Sequence, residues 1–218
     1  MEITYIGHSC FKIKGKNITL VIDPYNPKMT GYPMPKISAD AVLITHEHED
    51  HSNLQAINDY KILINTPGEY ELSETFIFGI QTYHDNKNGN ERGKNTIYQI
   101  DIDGFSLLHL GDLGHELSTD TLERLGSIDV LMVPVGGTYT INGEVAAKVI
   151  SSIEPAIVIP MHYHSESSPV TEKLDDIKKF MEEMGSKENG IKSIDKLKLT
   201  SRLEVPEETE VYLLSPQH

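Results

Sequence analysis

The hexad His46-Glu47-His48-Glu49-Asp50-His51 follows directly on the apolar run Ala41-Val42-Leu43-Ile44-Thr45. A short apolar run of this kind predicts a buried strand, and the polar hexad is then its exit loop. Three imidazoles and a carboxylate within six residues do not sit comfortably together without something to bind. Imidazole and carboxylate are the usual nitrogen and oxygen ligands of Zn, Mn and Fe. On a loop, the alternate residues His46 and His48 can converge on one ion, while Asp50 and His51, past the turn, can address a neighbouring one.

The same arrangement, an apolar strand delivering a polar residue at its end, recurs outward from the hexad. His84 ends the run Phe76 to Tyr83, Asp112 follows Leu107 to Gly111, and His162 follows Ile157 to Met161. Gly111 lets the backbone come close to a ligand. Four strand ends supplying ligands place a site at one edge of layered sheets. Because these residues span positions 46 to 162, dividing the chain would break the site. Residues 1–218 are therefore expected to form one domain, in keeping with the rough guide of ~150 residues per domain.

Around these landmarks the first half reads as strands: Ile3 to Gly7, Cys10 to Lys14, Ile18 to Ile22, Lys61 to Asn65, Tyr70 to Leu72, Thr96 to Ile102 and Phe105 to Leu110. Asn53 to Tyr60 reads as helical. Asp23 to Ser38 carries Pro24, Pro27, Pro33 and Pro35, which deny it helix and central strand, leaving a surface loop or a binding-site lip. Asp85 to Asn95 is polar, with two glycines, and reads as a hairpin loop or flexible flap. Helices are expected from Thr119 to Leu125, capped by Ser118 or Thr119, from about Asn142 onward, and from Leu174 to Met184. Val130 to Val135, Ala156 to Ile159 (stopped by Pro160), Lys196 to Thr200 and Glu210 to Leu214 complete the strands. Many strands with later helices predict an α/β class of layered sheets covered by helices. Loops 23–38, 85–95 and 136–142 are the expected walls of a pocket.

The chain has 33 acidic against 19 basic residues, a formal net charge of −14. Sequence-independent nucleic-acid binding needs Lys and Arg to displace counterions from phosphates, so the balance argues against nucleic acid and for a small-molecule substrate. The single cysteine, Cys10, excludes an intrachain disulfide and is expected in the core. No run approaches the ~18 apolar residues of a membrane span, so no membrane partner is expected. The first residues lack the features of a signal peptide, which makes the cytoplasm the expected compartment. A homo-oligomer stays open.

His46 to His51 resembles the HxHxDH signature of the metallo-β-lactamase superfamily. Gly7-His-Ser-Cys-Phe11, Ile22-Asp-Pro24, Thr66-Pro-Gly-Glu-Tyr70, Leu110-Gly-Asp112, Gly136-Gly-Thr-Tyr139 and Ile159-Pro-Met-His-Tyr163 follow the family's order. Together they are similar to the branch containing ascorbate-6-phosphate lactonase-like and uncharacterised metal-dependent hydrolases. The resemblance implies a four-layer αββα sandwich holding two divalent ions, with Zn as the expected metal and Mn or Fe as alternatives. It implies that His46, His48 and His84 hold the first ion, that Asp50, His51 and His162 hold the second, and that Asp112 bridges them.

The expected activity is hydrolysis of a small ester-like molecule, a lactone or a phosphate ester, by a metal-bridging hydroxide. Asp50 is expected to orient that hydroxide. His164 and His8 lead the candidates for protonating the leaving group, followed by His109 and His115. His109, inside an apolar strand, also reads as a core histidine or a partner of a ligand. The alternatives are a metal-dependent nuclease acting on RNA or DNA, and a metal-stabilised binding protein without turnover. A redox role is disfavoured, because the di-iron branch typically has glutamate where His48 stands.

Overall fold

Central strands buried on both faces set the architecture. The computed structural model describes residues 1–165, 168, 171, 173–185 and 192–217. A first sheet is built from β1 (Glu2–Gly7), β2 (Cys10–Lys14), β3 (Thr19–Ile22), β5 (Ala41–Leu43), β7 (Ile62–Ile64) and β15 (Leu197–Lys198), in the order β15-β1-β2-β3-β5-β7. A second is built from β8 (Gly68–Leu72), β9 (Thr75–Tyr83), β10 (Lys94–Ile102), β11 (Phe105–His109), β12 (Val130–Pro134), β13 (Ile157–Met161), β14 (Lys192–Ile194) and β16 (Glu210–Leu214). Its order is β14-β16-β13-β12-β11-β10-β9-β8. β4 (Ile37–Ser38) and β6 (Ile57–Asn58) form a separate parallel pair.

Alternate residues of each strand serve different cores, as the two-residue repeat of a strand requires. Ile3, Phe11, Leu20 and Leu43 of the first sheet join Tyr98, Leu107, Met132 and Ile159 of the second in one buried cluster between the sheets. The outward residues Leu108, Leu131, Val133 and Val158 instead pack with Val149 and Ile150 of α3 (Gly143–Ile153) and Phe180 and Met181 of α4 (Ile177–Glu183). On the far side of the first sheet, Ile6, Cys10, Val21 and Val42 meet Tyr25, Tyr32, Ala56 and Ile57. The layers expected from sequence are present, although this last one is largely irregular chain rather than long helices.

Several local expectations are corrected. Tyr25 and Tyr32 are 0% and 3% exposed, so the proline-rich segment is a core layer rather than a surface loop. Pro27 opens the short helix α1 (Pro27–Thr30) after the Asn26 cap, the one helical position where a missing N–H is harmless. Asn53 to Tyr60 forms a single 3₁₀ turn at Leu54–Ala56 and then strand β6, because Ile57 is drawn into the third core and pairs with Ile37. β13 runs through Pro160 to Met161. Its pairing with β16 covers only Ile157 and Val158, so Pro160 lies where one side of the strand carries no ladder. The α4 helix starts at Ile177, capped by Asp176, three residues later than the apolar spacing suggests. Strand β14 was not anticipated.

Candidate metal centre

Strand direction brings the predicted ligands together. β11, β12 and β13 are parallel, and β9 and β11 both pair antiparallel with β10, so β9, β11 and β13 all end at one edge. His84, Asp112 and His162 leave the second sheet at that edge. The hexad leaves β5 of the first sheet beside them, and His8 stands in the turn between β1 and β2. Asn95, at the start of β10, fastens the corner. Its amide donates to Thr82 Oγ1 and Leu110 O, and its side-chain oxygen accepts the Asp112 N–H at 3.0 Å. Gly111 allows the chain to turn there: its φ is 54°, and a Cβ would come within 2.8 Å of Thr45 Cβ.

Asp112 Oδ2 lies at the centre of the imidazoles. It stands 3.2 Å from His84 Nε2, 3.2 Å from His162 Nε2, 3.3 Å from His51 Nε2 and 4.0 Å from His46 Nε2. Two clusters flank it: the ligand atoms of His46, His48 and His84 lie within 4.8 Å of one another, as do those of His8, Asp50, His51 and His162. Seven of the eight buried side-chain atoms without a hydrogen-bond partner among the described residues belong to this centre. They are His8 Nδ1 and Nε2, His46 Nε2, His51 Nε2, His84 Nδ1, Asp112 Oδ1 and His162 Nδ1. Buried polar atoms normally find partners, and the unpaired His46 Nε2, His51 Nε2 and Asp112 Oδ1 among them fit an electron-pair acceptor such as a divalent cation.

Asp23, a residue that sequence reasoning quoted without giving it a task, sets the tautomers. This fully buried carboxylate accepts from Thr45 N at 2.8 Å, from Thr45 Oγ1 at 2.7 Å and from His51 Nδ1 at 2.9 Å. With Nδ1–H committed to Asp23, His51 presents Nε2 to the centre. The Thr45 hydroxyl proton is also committed to Asp23, so its oxygen accepts from His46 Nδ1, 3.0 Å away. His46 therefore presents Nε2 as well. One carboxylate thus orients two candidate ligands, one directly and one through a hydroxyl, as outer partners of metal-binding histidines do. The signal available in sequence was its place at the end of β3, in Ile22-Asp-Pro24.

The electrostatics point the same way. Burial, followed by the neighbouring imidazoles, lowers His46 to about 2 and His8 to about 4, and burial also lowers His48. These rings are neutral at pH 7. Burial acts to raise Asp112, but His162 and His51 hold it well below the usual carboxylate range. Asp50 is likewise lowered, with burial outweighed by His8 and His51. His51 alone moves up, since Asp112 and Asp23 outweigh its burial. Apart from His51, which would have to lose a proton to a bound cation, these are the neutral imidazoles and ionised carboxylates that a divalent ion requires.

The other nominated histidines are placed differently. His8 joins the centre, with Nε2 3.3 Å from Asp50 Oδ2. The hydrogen bonds of His164 run to Thr171, 3.1 Å from Nδ1, and to Asp175 O, and none joins it to the imidazole cluster among the described residues. His109 is buried, bonded through Nε2 to Ser9 O, and accepts Gly111 N–H at Nδ1, so it ties the β1–β2 turn to the Asp112 loop. His115 accepts from Tyr83 N. Cys10 is buried, as expected.

A cleft of about 580 Å³ opens beside His46 and His48, walled by Thr66, Gln81, Arg92 and Lys94. Of the three loops expected to line a pocket, only 85–95 contributes to it. That loop is pinned rather than free, because the Asp85 carboxylate accepts the backbone N–H groups of Lys87, Gly89, Glu91 and Arg92.

Comparison with known proteins agrees with this geometry. A family model described as the beta-lactamase superfamily domain matches residues 2–162. A UPF0173 metal-dependent hydrolase of Thermoplasma volcanium is 31% identical over 197 residues, covering 76% of this chain and 84% of that protein. Among solved structures, a candidate Zn-dependent hydrolase of the metallo-beta-lactamase superfamily from Thermotoga maritima has 32% identity and a TM-score of 0.78. That match covers 98% of this chain and 97% of the other. A metallo hydrolase from Ignicoccus hospitalis shares the fold at 22% identity and a TM-score of 0.62, covering 84% and 90%.

Proposed function

Since the chain belongs to the beta-lactamase superfamily and is a metal-dependent hydrolase, we propose that it cleaves a small ester-like substrate carrying an anionic group, a phosphate ester or an acidic lactone. The reading takes residues 1–218 as one hydrolase domain with two divalent ions, zinc foremost, then manganese or iron. The observation that carries it is the position of Asp112 Oδ2, within 3.3 Å of three imidazoles drawn from both donor clusters. His46, His48 and His84 would hold one ion, Asp50, His51 and His162 the other, with Asp112 shared. Bound there, such ions supply a water acidified towards neutral pH and an electrophile for the carbonyl or phosphoryl oxygen.

The chain's own groups do the positioning. Asp50 stays ionised and is partly exposed, which suits a carboxylate that accepts a hydrogen bond from the attacking water and aligns it. Arg92 and Lys94 support the anionic substrate. In a chain with a net charge of −14, neither forms an ion pair among the described residues, and both line the cleft beside His48. The Arg92 guanidinium is braced by Thr138 O and by the Tyr139 ring, 5.6 Å away, leaving its remaining donors for a ligand. Glu47 is the one carboxylate among the cleft's lining residues.

The test is a panel of phosphate monoesters, acidic lactones, neutral esters and oligonucleotides, run on the zinc- and manganese-loaded chain. Turnover of an anionic small substrate is expected, with Arg92→Ala and Lys94→Ala raising KM for it and leaving kcat on neutral esters unchanged. Cleavage confined to oligonucleotides, or no cleavage at all, refutes the reading.

A further inference from the structure

His8 is not one of the seven ligands that the family's signature implies, yet it is built into the centre. Only 6% of it is exposed, and neither ring nitrogen has a hydrogen-bond partner. Its Nε2 lies 3.3 Å from Asp50 Oδ2, and its ring centroid lies 4.3 Å from that of His162 and 5.0 Å from that of His51. Buried polar atoms normally find partners, so an imidazole retained there with no hydrogen bond at either nitrogen calls for a ligand.

The backbone around it is held in an uncommon state as well. His8 and His162 have φ of 57° and 54°, in the left-handed region, and the two are tied together by the His162 N–H donating to His8 O at 3.0 Å. The same carbonyl accepts the Tyr5 hydroxyl at 2.9 Å. Left-handed non-glycine residues persist where the surroundings over-determine them, and they gather at functional sites. Here the strain aims two imidazoles, from the β1–β2 turn and from the end of β13, at one point.

We propose that His8 is a fourth protein ligand of the ion held by Asp50, His51 and His162. This rests on the two-ion reading above and adds a donor that makes the second site richer than the first. The four ligand atoms lie within 4.8 Å of one another. Ligands at about 2.1 Å from one ion stand no more than roughly 4.2 Å apart, so closing the set takes displacements of tenths of an ångström. The first site has three histidines and faces the cleft through His48, which is more than a third exposed. The second site is more deeply buried, with only Asp50 partly exposed. The asymmetry predicts that the second ion binds more tightly and that the first keeps an open position for substrate.

The test is titration of the full chain with Zn²⁺ against a chromogenic chelator, comparing wild type, His8→Asn, His8→Gly and His48→Ala. Asparagine and glycine both tolerate the left-handed backbone, and asparagine keeps a hydrogen-bond donor towards Asp50. Two equivalents are expected for wild type. In both His8 variants the tighter equivalent should weaken by more than the roughly 10–100-fold that loss of a mere outer partner costs, while His48→Ala weakens the other. Wild-type affinity in both variants overturns the assignment, as does rescue by asparagine alone, which would make His8 a positioning residue for Asp50. Absence of zinc from the wild type removes the two-ion reading itself, and with it the role of His8. Melting of the metal-free variants at the wild-type temperature shows that binding, not folding, was changed.

Discussion

Replacing Asp23 by asparagine preserves its shape while removing its charge and changing where protons can sit. In the native centre, Asp23 Oδ2 accepts from both the Thr45 hydroxyl and His51 Nδ1, at 2.7 and 2.9 Å. The amide of Asp23→Asn can keep its oxygen for Thr45 N, which places NH₂ where that second oxygen stood. His51 must then accept at Nδ1 and carry its proton on Nε2, facing Asp112. The Thr45 hydroxyl, now accepting from the amide, turns its proton to His46 Nδ1, and that ring also becomes an Nε2–H tautomer. One substitution thus turns the lone pair of one histidine in each donor cluster away from its ion. Loss of an orienting partner costs 10–100-fold in metal affinity, or about 1.4–2.7 kcal/mol per ion. In the metal-free chain the loss of a buried charged partner of His51 should cost on the order of 3 kcal/mol. The assay is Zn²⁺ competition combined with thermal melting with and without metal. Expected are two weakened equivalents and a smaller metal-induced rise in Tm. Two equivalents at wild-type affinity would refute the tautomer relay.

Three further outcomes follow from the same geometry. Asp112→Asn removes the shared carboxylate, so activity should fall by more than the ~100-fold ceiling of an outer-partner change; near-native kcat/KM in steady-state assays would sink the two-ion reading. Gly111→Ala forces a left-handed residue against Thr45 and should destabilise by about 2 kcal/mol, roughly 4–8 °C in calorimetry. The metal-free chain should be most stable near pH 6.5. His51 is raised in the folded state, so its contribution is complete below the unfolded histidine value and is lost as pH rises through the raised one. His8 and His46 are lowered, to about 4 and about 2, so theirs is present above about 6.5 and is lost as pH falls. A flat profile from pH 5 to 8 in metal-free denaturation would contradict these assignments, and loading with zinc should remove the alkaline fall.

The candidate donor residues and the strand-rich layers were legible because both are local signals. A candidate metal-binding histidine stands at a strand end, and the strand announces itself as a short apolar run, as in Ile157 to Met161 before His162. The residue types of the hexad leave little else for them to do. Where reading failed, a tertiary partner had overruled a local rule. Asn53 to Tyr60 has no helix because Ile57 finds a strand partner in Ile37, 20 positions away. Pro160 does not stop its strand because β16 withdraws from that side. Tyr25 and Tyr32 are buried among prolines because the outer face of the first sheet needed covering.

Candidate donor atoms and the strands that carry them could be read along the chain, since donor chemistry and apolar runs are properties of single residues and their neighbours. That Asp23 reaches His51 directly and His46 through Thr45, that His8 closes on Asp50, and that Arg92 and Lys94 border the cleft became visible in the folded chain alone. Those relations join residues from separate turns and sheets, and a hydrogen bond between residues 23 and 51 has no signature along the chain. It exists only once β3 and β5 lie side by side and set the two within 2.9 Å.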